Sequence, residues 1–171
     1  MIITLTILSL VCILSYTLAV CLKFKGIPNS ISASFYSLEH NWWFRFTMWV
    51  APMLLLPAIL EVSKPNTEFL AFLSIVGMII VGCFPDYAND KLSKRGHETG
   101  AIMTMVFSQV WVSCNFAWVL FLWLSYIVYT AIMMNDSDEE TFIGKYYDTN
   151  PLFWIESVCI TTVFTSIFFL V

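Results

Sequence analysis

Charge is what this sequence has least of. Asp, Glu, Lys and Arg together make 12% of its 171 residues, about half the fraction usual in a soluble domain. A water-exposed globule is therefore a poor fit. Histidine is nearly absent, with two residues, so a three-histidine zinc centre cannot be built within one chain. The five cysteines, Cys12, Cys21, Cys83, Cys114 and Cys159, contain no C-x-x-C pair and lie in or beside apolar segments. An odd count without paired spacing argues against a disulfide framework or a zinc knuckle and for buried, inert thiols. A Gly-rich phosphate loop, G-x-S-x-G and H-E-x-x-H are all missing, which removes the common soluble-enzyme signatures. The net charge of −4 leaves no footprint for nucleic acid.

What the chain has instead is apolar length. It is 59% hydrophobic, with a mean hydropathy of +0.80. The pattern predicts an all-α polytopic membrane protein: a single domain, a bundle of six transmembrane helices over about 2–22, 43–62, 68–84, 98–113, 116–134 and 152–171. Each approaches the roughly 20 residues that cross a bilayer. The stretch from His97 to Met134 carries hardly a charge after Glu98. As one helix it would reach about 57 Å, well beyond a ~30 Å hydrocarbon core, so a turn near Ser113-Cys114-Asn115 is expected. Met1 to Leu22 has no basic residue before its apolar run, unlike a cleaved signal, and reads as a retained first span.

Basic residues orient the bundle. Lys23, Lys25 and Arg45 follow the first apolar segment, Lys91, Lys94 and Arg95 the third, and Lys145 the fifth; of the 8 Lys and Arg residues only Lys64 falls in an intervening loop. Cytoplasmic loops retain Lys and Arg. Both termini are therefore expected outside, with the main loops cytoplasmic. Trp111 and Trp118 would then approach the outer interface, and Trp42, Trp43 and Trp154 the inner one.

The inner side also collects the polar residues with chemical potential. Ser32, Ser34, Glu39 and His40 lie in the first inner loop, Asp86 and Asp90 follow the third span, and His97 and Glu98 open the fourth. Glu156, five residues into the last span, would sit about 7.5 Å inside it. Acids within spans are costly and usually functional, and its expected partner is His97, Ser32, Ser34 or an amide. Catalytic candidates are thus Glu156, His97, Asp86 and Ser32. No cofactor is required; the alternative is one divalent metal ion on His97, Asp86, Glu98 and Glu156. Against these stand plainer roles: polar residues are ordinary at span ends, and Glu98 near a helix N-terminus would complement the helix dipole. Ser108 and Gln109 would bond a neighbouring helix. Gly77 and Gly82 would permit close helix contact, and Pro52 and Pro57 would kink the second span. Asn135-Asp136-Ser137 matches a glycosylation sequon in an inner loop, and Asp138-Glu139-Glu140 reads as a solvated run.

Three stretches carry a resemblance: Pro28-Asn29-Ser30-Ile31-Ser32-Ala33-Ser34-Phe35-Tyr36, Gly82-Cys83-Phe84-Pro85 and His97-Glu98-Thr99-Gly100-Ala101. Together they resemble uncharacterised small six-span membrane proteins of gut Bacteroidetes and their phages. That resemblance implies a six-helix bundle in a bacterial inner membrane and leaves activity open. A more distant likeness is to the ceramidase and adiponectin-receptor superfamily of membrane hydrolases, in which Ser32 or Ser34, Asp86 and His97 would imitate part of the site. This chain lacks that superfamily's H-x-x-x-H and is one span short. Three functions follow: a helical bundle binding membrane lipids, another membrane protein or itself; a hydrolase acting on a lipid from the cytoplasmic leaflet; or a small transporter or channel.

Overall fold

In a computed structural model that describes residues 1–36 and 38–171, the chain is helical, with no strand among the described residues. The helices are α1 (Ile2–Phe24), α2 (Trp42–Glu61), α3 (Glu68–Cys83), α4 (Lys91–Phe116), α5 (Leu122–Asp136), α6 (Phe142–Asp148) and α7 (Pro151–Leu170). Short 3-10 helices cover Ser32–Tyr36 and Ala117–Phe121. Four helical stretches, Ile2–Phe24, Trp42–Glu61, Lys91–Asp136 and Pro151–Leu170, are long and apolar enough to cross a membrane, against the six expected spans. The difference has two physical sources. With 16 residues, α3 reaches only about 24 Å, and the Lys91–Asp136 stretch is two helices joined without an intervening loop.

That stretch doubles back on itself. Phe116 leaves helical geometry at φ −151°, ψ 60°. Trp123 Nε1 donates to Gln109 Oε1 at 3.0 Å, although residues 14 apart on one straight helix would be about 21 Å apart. The reversal thus falls after Phe116 instead of at Ser113-Cys114-Asn115, which remain helical. Contacts with α7 give the directions. Gln109 of α4 bonds Thr162 at 3.0 Å, and the Phe116 ring packs at a tilt against Phe169, so α4 runs parallel to α7. Tyr129 of α5 meets Trp154 while Leu122 shares a groove with Thr161, so α5 runs antiparallel to it.

The closest packing is between α3 and α4. A Cβ added to Gly77 would lie 2.7 Å from the Gly100 carbonyl, and one on Gly100 would lie 2.7 Å from the Gly77 carbonyl. Only glycine at both positions lets these backbones approach, as small residues do in membrane bundles. Thr104 Oγ1 and the Ser74 carbonyl, 3.3 Å apart, add a polar tie. Helix α2 continues through both Pro52 and Pro57. Fully buried Ala51, Ala58, Ile59, Val112 and Ile167 help form the core.

Two local starts differ from expectation. The Asp90 carboxylate accepts the Ser93 N–H at 2.7 Å and caps α4 at Lys91, so the polar stretch before His97 is already helical. Glu98, the eighth residue of α4, consequently lies beyond the first two turns, too far along to complement the helix N-terminus. Within the acidic loop, Thr141 accepts the Gly144 N–H at 3.0 Å and starts α6. Trp111 also departs from an interfacial role. It is fully buried, and its Nε1 donates to Ser63 Oγ at 2.8 Å.

Candidate functional site

The polar residues gather where the segment after α1 folds back beneath the bundle. Lys25 caps α1 in the left-handed conformation (φ 54°) and turns the chain. The returning segment then docks on the first turns of α7. The Asn29 carbonyl accepts the Phe153 N–H at 3.2 Å. Glu156 Oε2 accepts the Ile31 N–H at 2.6 Å, and Ser32 Oγ donates to Oε1 at 3.3 Å. The carboxylate thus takes up an otherwise orphaned donor just before the 3-10 helix. An N–H to carboxylate bond is among the stronger hydrogen bonds proteins make.

Serine spacing explains why this segment folds so tightly. Ser30 Oγ accepts the Ala33 N–H at 2.9 Å, and Ser34 Oγ donates to the Ile31 carbonyl at 2.5 Å. Such local bonds give the backbone an alternative to regular helix. Ser34, fully buried, also pairs with the Tyr16 hydroxyl of α1 at 2.5 Å.

The other predicted residues surround this tie without joining it. His97 is buried, and its Nδ1 lies 2.9 Å from the Phe84 carbonyl. A carbonyl only accepts, so Nδ1 carries the proton. The His97 ring packs on Tyr87, with centroids 4.5 Å apart. Asp86 accepts from Asn89 Nδ2 at 2.7 Å, and Glu98 is exposed and pairs with Lys94 at 3.8 Å. His40 is exposed, beside the Trp42–Trp43 stack.

Among the described residues, no three His, Cys, Asp or Glu side chains converge as a metal site, so His97, Asp86, Glu98 and Glu156 are not brought together as a ligand set. Of the catalytic candidates, only Ser32 and Glu156 share a hydrogen bond. Gln109 is engaged on both sides of its amide. It donates to Thr162 at 3.0 Å and accepts from Trp123 at 3.0 Å, as interhelical glue does.

Two tyrosines absent from the sequence-level candidates bind this end together. The Tyr36 hydroxyl accepts the Ala88 N–H at 2.6 Å and donates to the Pro85 carbonyl at 3.4 Å. Tyr87 stands between His97 and the Glu156 side. Burial raises its phenol above the usual range, the charges of Tyr36 and Glu156 raise it further, and a Ser30 hydrogen bond opposes them. Tyr36 closes the Ser-rich segment in the sequence, whereas nothing local marks Tyr87 as its neighbour.

Three hollows complete the picture. A groove of about 340 Å³ lies between α1 and α2, lined by Cys12, Tyr16, Ala19, Trp43, Phe46 and Thr47 among others. A second, of about 320 Å³, lies between α5 and α7 beside Tyr126 and Trp154. A smaller cavity of about 80 Å³ lies under the docked segment and reaches Glu156. No protein-family model matches the chain, and no curated protein or solved structure matches it significantly.

Proposed function

We propose that the chain is an integral membrane protein of six crossings, with both termini outside, whose role is to bind membrane lipid along its perimeter grooves. The observation carrying this reading is the α1–α2 groove. Its volume of about 340 Å³ falls within the ~300–1,000 Å³ typical of small-molecule sites, and its walls are almost wholly apolar. Lys23 continues the groove-lining face of α1, seven residues beyond Tyr16, and Trp42 and Trp43 stack at 4.0 Å near the same end. Stacked tryptophans and a lysine suit the headgroup level of a bilayer, leaving the groove for an acyl chain.

The remaining inner polar groups support binding over catalysis in this reading, because they are already engaged in holding loops. The six-crossing count draws on the reversal after Phe116 and on the resemblance to small six-span bacterial and phage proteins; the basic loops give the cytoplasmic orientation.

Lipid retention tests the reading. After gel filtration in mild detergent, mass spectrometry should find phospholipid held in stoichiometric amount. Ala19→Trp, which fills the α1–α2 groove, should release it. A parent protein that emerges lipid-free, or an Ala19→Trp variant that retains as much, ends the proposal.

A second reading, hydrolysis of a lipid from the cytoplasmic leaflet, has one favourable observation: the Ser32 hydroxyl beside the Glu156 carboxylate at 3.3 Å. Ester hydrolysis abolished in Ser32→Ala, with lipid retention intact, would support it over simple binding.

A further inference from the structure

Three of the chain's eight methionines border one space. Met48 of α2, Met78 of α3 and Met105 of α4 line the cavity of about 80 Å³ beneath the docked segment, and α7 contributes Glu156 and Cys159 to its wall. Methionine is a common gap-filler in cores. Here, however, methionines from three different helices line one open space, and the hollow exceeds what one ion or water needs. Glu156 adds a second, independent feature. It is an acid within an apolar helix, and the ion pairs among the described residues, Lys23–Glu39 and Lys94–Glu98, leave it without a cation. Ionised in such surroundings, its carboxylate would be stabilised by a counter-ion.

We propose that this cavity binds one soft monovalent cation, Cu(I) or Ag(I), with the thioethers of Met48, Met78 and Met105 as donors and Glu156 as the balancing charge. Thioether sulfur selects soft d¹⁰ ions. The cavity offers too few oxygens for calcium or magnesium, which take six or more. It also lacks the nitrogen and thiolate set of zinc. The thioethers are neutral, so binding exchanges no proton with them; any proton on the Glu156 carboxyl leaves as the cation enters, and cation plus carboxylate leave the cavity uncharged. The site is separate from the perimeter grooves and does not depend on lipid binding.

The test uses the full chain in lipid nanodiscs, with the exposed Cys83 and Cys114 replaced by Ser. Silver ion is titrated calorimetrically, and Cu(I) is titrated anaerobically against a chromogenic chelator. One ion per chain is expected. Met48→Leu, Met78→Leu and Met105→Leu combined, which nearly conserve volume, should reduce binding below detection. Glu156→Gln should weaken it roughly 10-fold, in the range of charge-tuning groups around metals. Replacing Met53, Met103 and Met133 by Leu should change nothing.

Absence of saturable one-to-one binding, full binding by the triple variant, or equal loss in the control set overturns the proposal. Metal-edge X-ray absorption on the loaded parent covers the case in which the triple variant fails to fold. A shell of sulfur neighbours is expected, and a shell of oxygen and nitrogen alone would refute the site.

Discussion

The two ends of the bundle close in different ways. At the end holding Lys64 the connections are short, running through 62–67 and 117–121, and one side chain organises the first of them. Asn115 accepts the Lys64 N–H at 2.7 Å and donates to the Trp111 carbonyl at 2.8 Å and to Thr67 Oγ1 at 3.1 Å. At the basic end the connections are long, and they bind one another across the sequence. Tyr36 reaches Pro85 and Ala88, His97 reaches Phe84, and Glu156 reaches Ile31. A neutral amide with two donors and an acceptor suffices for tight turns. Docking an entire returning segment takes a carboxylate, and the same docking creates the cavity beneath it. The difference teaches that the polar residues of the basic end are there first for architecture, and that any binding chemistry is built on top of that role.

The sharpest way to break this comparison is topological. Cys83 and Cys114 are both exposed, one at each end. In single-cysteine variants, an impermeant maleimide applied to intact cells should modify Cys114 and leave Cys83 unmodified until the membrane is opened. Labelling of both from one side would end the six-crossing arrangement.

Next in size is Glu156→Leu, which strands the Ile31 N–H and should cost about 3 kcal/mol, the upper range for bonds to charged groups. Amide exchange should rise over 29–36 and stay unchanged over 62–67. Uniform acceleration at both ends would show that the ends are not independent. Asn115→Leu is the mirror experiment. A loss of about 2 kcal/mol for unpaired buried groups should appear in the thermal melt, with exchange rising over 62–67 alone. Tyr36→Phe should be the mildest, about 0.5 kcal/mol for a bond exposed to water; a loss as large as that of Glu156→Leu would move the centre of the basic end to the tyrosine.

Much of this contrast can be read from residue order. Skewed Lys and Arg positions separate the two ends: Lys25 lies between α1 and α2, Lys145 in α6 between α5 and α7, and Lys23, Arg45, Lys91, Lys94 and Arg95 in the helix ends bordering the connections of the basic end. Glu156 stands out because acids inside apolar helices need a reason, and an amide and Ser32 were among its foreseeable partners. Other features depend on the folded arrangement. The reversal after Phe116 carries neither Gly nor Pro, so only excess length hinted at it, and its position shifted accordingly. Asp90 and Thr141 are ordinary capping residues, hidden because apolar periodicity begins well after the first and hardly at all after the second. The positions of Tyr36 and Tyr87 follow from two loops meeting, which no local pattern encodes. Residue order places His97 and Asp86 on the same side as Glu156, and each instead satisfies a near neighbour.

The bond between Ile31 and Glu156 joins residues 125 positions apart. During synthesis the returning segment leaves the ribosome early, but its carboxylate partner arrives only with α7. Until then Ile31 and Ser32 have no acceptor from α7, and the basic end stays unsealed however well α1 to α5 have packed. Closure of that face therefore reports that the chain has been made through α7, and quality-control proteases would find the segment around 29–36 open in any product that stops before it.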